Sequence, residues 1–187
     1  MSESLTAMLI MDIQPIVVPG AGGDDALIER LNSAASAARA ASIPVINVRV
    51  VFREGYPDIS ESNQIFAPLR SMVDFTDANP ATAFHPALQS VGSDIFVVKR
   101  RVSAFVGSDL SVILRSLGVK RLVLSGVATS GVVLSTLREA ADRDFELVVL
   151  SDGCADADEE THRVLLSKVF PSQAVVMTVD QWIDELS

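Results

Sequence analysis

The chain has 187 residues, of which 49% are apolar, with 24 acidic against 15 basic side chains and a formal net charge of −9. That length supports a sizeable core and reads as a single domain over residues 1–187. Its apolar runs fall well short of the roughly 20 residues a membrane span needs, and Lys99-Arg100-Arg101 is the one basic run, so neither a bilayer nor nucleic acid is an expected partner. A lone cysteine, Cys154, excludes an internal disulfide framework and fits a reducing compartment. The first residues, MSESLTAMLIMDIQ, lack the basic region of a signal peptide, and a cytoplasmic location is expected.

Taken in order, apolar runs alternate with helical patterns. Residues 6–13 (TAMLIMDI) read as a strand buried on both faces, broken by Pro15 and the cluster from Pro19 to Gly23. Asp24 is placed to cap a helix reaching about Ala41, with Leu27, Leu31, Ala34 and Ala35 on one face. A second strand is expected over 43–51, followed by a long irregular stretch to about Gly92 with a short helix within 63–73. A structureless connection of that length usually covers a site. Residues 94–99 read as a third strand, and Ser108-Asp109 as the cap of a helix ending at Gly118. The fourth strand is expected over 121–126, a helix over 131–143, a fifth strand over 146–151 and then a loop, DGCAD, at 152–156. A helix over 158–170 with Thr161, Leu165, Leu166 and Val169 inward, a sixth strand over 173–178 and a closing helix complete the pattern. Repeated strand–helix units predict an α/β fold: a six-stranded, mainly parallel sheet sandwiched in three layers, with the site at the carboxyl ends of the strands.

Three features meet there by this reading. Asp12 ends the first strand, Lys99 ends the third, and the run SGVATSGVVLST makes a sharp strand-to-helix elbow after the fourth. If the first, third and fourth strands are neighbours, Asp12 and Lys99 converge on the elbow. A carboxylate and an ammonium there form a candidate acid/base pair, because each stabilises the other's charge and burial shifts both. The elbow aims backbone N–H groups at a helix N-terminus, suited to an oxyanion. A nucleophile is expected at its first helical position, but the chain has Val132. Phe52, Tyr56, Phe66 and Phe105 can form an apolar wall or ordinary core, and Arg53, Arg100 or Arg101 can meet a carboxylate.

The segments LIMDIQ, VVKRRVSAFVGSDL and SGVATSGVVLSTLREAADRDFELVVLSDGCADADEETH together resemble the isochorismatase-like cysteine hydrolases, and the resemblance runs from the first strand to the last helix. It implies a three-layer α/β fold with a six-stranded parallel sheet, assembly as a homodimer or homotetramer, and a small-molecule substrate. It also implies a catalytic trio in which Asp12 is the acid/base and Lys99 its charged partner. Val132 stands where the family's cysteine belongs, and a cis peptide is implied at Val127-Ala128. Substrate contacts are expected from Gln14, Val127, Ala128, Thr129 and Gly131 beside the aromatic wall. Valine cannot form an acyl-enzyme. The resemblance therefore implies a hydrolase working without the cysteine, for instance on a vinyl ether. The alternatives are an inactive small-molecule binder or an oligomeric interaction protein on the same fold. No cofactor is expected, and the two histidines, His85 and His162, have no partner at metal-ligand spacing. His85 is read as capping or packing a short helix, and His162 as lying on a helix surface or at a subunit contact.

Overall fold

In the computed structural model, which describes residues 5–186, six strands hydrogen-bond into one sheet. They are β1 (Thr6–Met11), β2 (Val45–Val50), β3 (Ile95–Lys99), β4 (Arg121–Val127), β5 (Glu146–Ala155) and β6 (Val175–Met177). All neighbours are parallel, in the order β3-β2-β1-β4-β5-β6. Because side chains alternate along a strand, β1 feeds two cores. Ala7, Leu9 and Met11 join one buried cluster, and Met8 and Ile10 join the other. The second cluster is closed by α1 (Asp25–Ala40) and α6 (Val179–Glu185) through Leu27, Leu31, Ala38 and Trp182. The first is closed by α3 (Leu110–Ser116), α4 (Leu134–Ala141) and the turns after α5 (Glu159–Val164), through Leu114, Leu137, Leu165 and Phe170. These three layers are the expected α/β sandwich.

Helix starts follow their caps. Asp24 Oδ1 accepts the Leu27 N–H at 2.7 Å, and Thr178 and Gln181 cap one another reciprocally at α6. Asp109 departs from its expected role, since its side chain caps nothing; the Ser108 hydroxyl instead donates to Ala104 O and accepts from Leu110 N. In the long connection only α2 (Leu69–Met72) is α-helical, after Pro68, together with a 3-10 turn at Pro80–Thr82. Val50, Phe52, Ile59, Phe66 and Phe75 bury themselves as a third, separate cluster within that connection and at its root.

Two expectations about the sheet are corrected. The first, third and fourth strands are not mutual neighbours: β2 lies between β1 and β3. In addition, the DGCAD segment is not a loop. β5 continues through Ala155, with Gly126 opposite Cys154 and Val127 opposite Ala155 after a register shift at Leu124/Gly126. Gly and Asp suggested a turn locally, but the bulge lets β5 follow β4 to its end.

β1 and β4 flank the point where the chain reverses its direction of winding, the place where open parallel sheets form a crevice. Their approach there is very close. Gly126 has φ +127°, and a Cβ on it would lie 2.1 Å from the Met11 carbonyl oxygen. Gly126→Ala is therefore expected to cost about 3 kcal/mol or more, through a backbone clash that no rotamer relieves. Urea denaturation checks this, and an unshifted midpoint would contradict the close approach.

Candidate functional site

Asp12 leaves β1 in a left-handed turn with φ +59°, a conformation that Asp tolerates better than most residues. Its N–H donates to Val48 O of β2 at 2.8 Å, and its own carbonyl accepts the Gln14 N–H at 2.9 Å. This turn directs the carboxylate over the sheet's end. Lys99, the last residue of β3, reaches across β2, and its Nζ lies 2.8 Å from Asp12 Oδ2. Convergence is thus achieved by side-chain length rather than by strand adjacency. The same ammonium donates to Arg101 O at 2.9 Å. Lys99 is 1% exposed and Asp12 5%.

The other carboxylate oxygen, Asp12 Oδ1, is buried and has no hydrogen-bond partner among the described residues. Loss of solvent raises the Asp12 pKa above the ordinary 3.8, against the lowering pull of the Lys99 charge and its hydrogen bond. Burial is the larger of these effects.

The elbow follows β4. The Val127-Ala128 peptide is cis, and the turn at Thr129–Val133 leads into α4 through a kink, with Gly131 at non-helical φ −95°, ψ −105°. Much of the elbow's polar capacity is met from within the chain. Ser130 N–H donates to the Asp156 carboxylate at 2.7 Å, so an internal anion already occupies that donor. The Thr129 hydroxyl donates to Ala155 O at 3.1 Å and lies 2.8 Å from His162 Nδ1. The hydroxyl's one proton goes to the carbonyl, which cannot donate, so the imidazole Nδ1 carries the hydrogen toward Thr129. His162, read from sequence as lying on a helix surface or at a subunit contact, is half-buried on α5, and its ring reaches the elbow at Thr129. The i, i+3 and i+4 pattern of α5 held no signal for this contact, which depends on β5 extending to Ala155. Val132 is 2% exposed and belongs to the main core cluster.

The remaining expected site residues fall into two groups. Phe52 and Phe66 stack edge to face at 5.1 Å in the third cluster, with Tyr56 packed against it. That cluster also touches Ile16 and Val17, just after Asp12, and Val102, just after Lys99. Phe105 lies apart in the main core, stacked on Phe145 beneath the Arg143 guanidinium. Gln14 is fully buried as a strut: its amide donates to Val50 O and Thr82 O and accepts the Val50 N–H. Arg53 and Arg100 are both turned to Asp58. Arg101 donates to Arg100 O. Cys154 is buried, and loss of solvent pushes its thiol up to about 12, which keeps it protonated and unreactive. His85 lies in a turn, its N–H bonded to Ile13 O and its Nδ1 accepting from Ala87 N. Among the described residues no group of three or more His, Cys, Asp or Glu side chains is placed to hold a metal ion, and no helix is long and apolar enough to cross a membrane.

A parallel α/β sheet with a buried acid–lysine pair at the crevice and a kinked elbow beside it is the architecture of a hydrolase family. The Isochorismatase domain model matches residues 6–181, and the chain belongs to the isochorismatase family. Over its whole length it is 31% identical to the uncharacterized isochorismatase family protein YecD of Escherichia coli O157:H7, covering 98% of that protein. It is 29% identical to the ureidoacrylate amidohydrolase RutB of Methylobacterium radiotolerans, over 90% of this chain and 74% of that one. Among solved structures, a cysteine hydrolase from Pseudomonas syringae pv. phaseolicola superposes with a TM-score of 0.87 at 21% identity, over 97% and 92% of the two chains. An isochorismatase family protein from Burkholderia thailandensis superposes with a TM-score of 0.85 at 29% identity, over 97% and 95%.

The buried pair predicts asymmetric mutational costs. Asp12→Asn strands a buried ammonium and should cost about 3–5 kcal/mol. Lys99→Met should cost less, because Asp12 can relax by keeping its proton. The double variant Asp12→Asn/Lys99→Met should recover most of the loss. Chemical denaturation of the three variants tests this, and additive losses would refute it.

Proposed function

We propose that the chain hydrolyses a small molecule with Asp12 as general acid and base and Lys99 as its charged partner, without a covalent intermediate at position 132. The observation that carries this reading is the division of labour on the Asp12 carboxyl. Oδ2 is held by Lys99, while Oδ1 is buried and unpartnered, and burial raises the pKa of the carboxyl. A proton held there without a partner is available to a substrate. Val132 offers no lone pair, so bond cleavage has to proceed through protonation and water rather than through an acyl-enzyme.

A vinyl ether suits these groups. Asp12 gives its proton to the terminal alkene carbon, and the ether carbon becomes an oxocarbenium. Water adds to that carbon and loses its proton to the Asp12 carboxylate, whose transient charge Lys99 balances. The hemiketal then separates into a ketone and an alcohol. The names of two relatives, ureidoacrylate amidohydrolase and maleamate amidohydrolase, favour an amide as the second substrate class. For an amide, Asp12 would act first as the base that activates water. Phe52, Tyr56 and Phe66 supply the apolar side of the binding space, as expected of a small planar substrate. Assembly into a homodimer or homotetramer belongs to the same reading, and a monomeric mass by light scattering would count against it.

A screen of vinyl ethers and amides with the wild type, Asp12→Asn and Val132→Cys tests the proposal. Turnover is expected in the wild type, with a loss of at least about a hundredfold in Asp12→Asn. If amide cleavage appears only in Val132→Cys, the chain is a disabled thiol hydrolase and the proposal fails. A bound ligand without turnover would support the inactive binder instead. With a vinyl ether, the acid form is the working form. The rate should therefore fall as pH rises through the Asp12 pKa, which lies above 3.8, and a rate that rises there would contradict an acid role.

A further inference from the structure

The Lys99 ammonium has two acceptors, Asp12 Oδ2 at 2.8 Å and Arg101 O at 2.9 Å. The second is a backbone atom, so its position depends on what moors the segment after β3. Much of that segment closes on itself: the Arg100 N–H donates to Val106 O, the Val106 N–H to Ser103 O, and the Ser108 hydroxyl to Ala104 O. Its ties to α4 come from two side chains one turn apart. The Ala104 N–H donates to Thr136 Oγ1 at 2.9 Å, and the Ser103 hydroxyl donates to the Glu139 carboxylate. Glu139 is shared with the partly exposed Arg143, whereas Thr136 and Ala104 are both 0% exposed. Water cannot replace the Thr136 bond, so losing it leaves a buried N–H without a partner.

We propose that Thr136 is a positioning residue for the Asp12–Lys99 pair: by accepting the Ala104 N–H, its hydroxyl fixes the segment that presents Arg101 O to the Lys99 ammonium. Thr136 lies one turn beyond Val132, on the helix into which the elbow leads. One helix therefore carries both the elbow and the mooring of the lysine's second acceptor. Thr136→Val removes the acceptor at nearly constant volume. The segment must then shift to satisfy Ala104 N–H, Arg101 O moves with it, and the ammonium is set less firmly beside Asp12. The Lys99 charge and hydrogen bond lower the Asp12 pKa, so a loosened ammonium lowers it less. Asp12 should titrate at a higher pH in that variant.

Thr136 bears on catalysis only through the acid and base role proposed for Asp12, but its effect on the pair is read without turnover. With aspartate carboxyl carbons labelled with carbon-13, the Asp12 resonance, assigned by its loss in Asp12→Asn, is followed by NMR across pH. Thr136→Val should raise its midpoint by about 0.5 to 1 pH unit, and Thr136→Ser should return it to the wild-type value. Thr136→Cys, with a weaker sulfur acceptor, should raise it by less, and it decides the matter if valine prevents folding. Asp158, which accepts the Thr161 N–H at the start of α5, should titrate as in the wild type in every variant. A midpoint unmoved by valine or by cysteine, an equal rise with serine, or a matching change at Asp158 would each overturn the positioning role. A wild type without hydrolytic activity would sink the functional proposal and leave these midpoints untouched.

Discussion

The structure turns on a lysine and an aspartate withdrawn from water. Removing two such charges from solvent costs several kcal/mol per ion, and their attraction recovers this only with good geometry. The chain provides that geometry from three strands. β1 supplies Asp12 in a left-handed turn, β2 fixes that turn through Val48 O, and β3 supplies Lys99. The ammonium has a second acceptor in Arg101 O, while one carboxylate oxygen has none. A pair built only for stability would satisfy both oxygens. This one leaves its unsatisfied atom on the acid, which is where a substrate proton would come or go.

The elbow answers the pair from the other side of the crevice, and its chemistry is set by β5. Because β5 runs on to Ala155, it brings Ala155 O to Thr129 and leads directly to Asp156, whose carboxylate takes the Ser130 N–H. His162 holds the same threonine from α5. With these contacts made and Val132 packed into the core, the elbow is rigid and part of its anion-binding capacity is already used. Under the proposed mechanism the charge changes fall on Asp12 and Lys99, and the elbow contributes shape.

Much of this architecture can be read from residue order. Strands buried on both faces, Asp and Thr caps, and helices at regular spacing name an α/β fold, and the ends of those strands point to Asp12, Lys99 and the turn at Gly126. What cannot be read is whatever depends on strands meeting. The reach of Lys99 over β2 follows from the order β3-β2-β1-β4, which no local pattern encodes. The segment DGCAD has turn composition, yet a bulge keeps it paired to β4. Gln14 looks like a residue free to meet a ligand, and only the approach of Val50 and Thr82 shows it spent on backbone partners. The aromatic residues divide for a similar reason. Phe52 and Phe66 fold onto the strand ends within their own connection, whereas Phe105 is drawn into the main core beside Phe145.

Burial and acidity are linked in this arrangement. A carboxyl beside an ammonium in water gives up its proton readily, because the neighbouring charge favours the anion. On Asp12 the loss of solvent outweighs that pull and raises the pKa. Under the proposed mechanism Asp12 gives a proton to one substrate atom and takes one from the attacking water, so its cycle closes within a single substrate encounter. Val132 contributes to it only by being apolar, adding no competing polar group to the space that Asp12 serves.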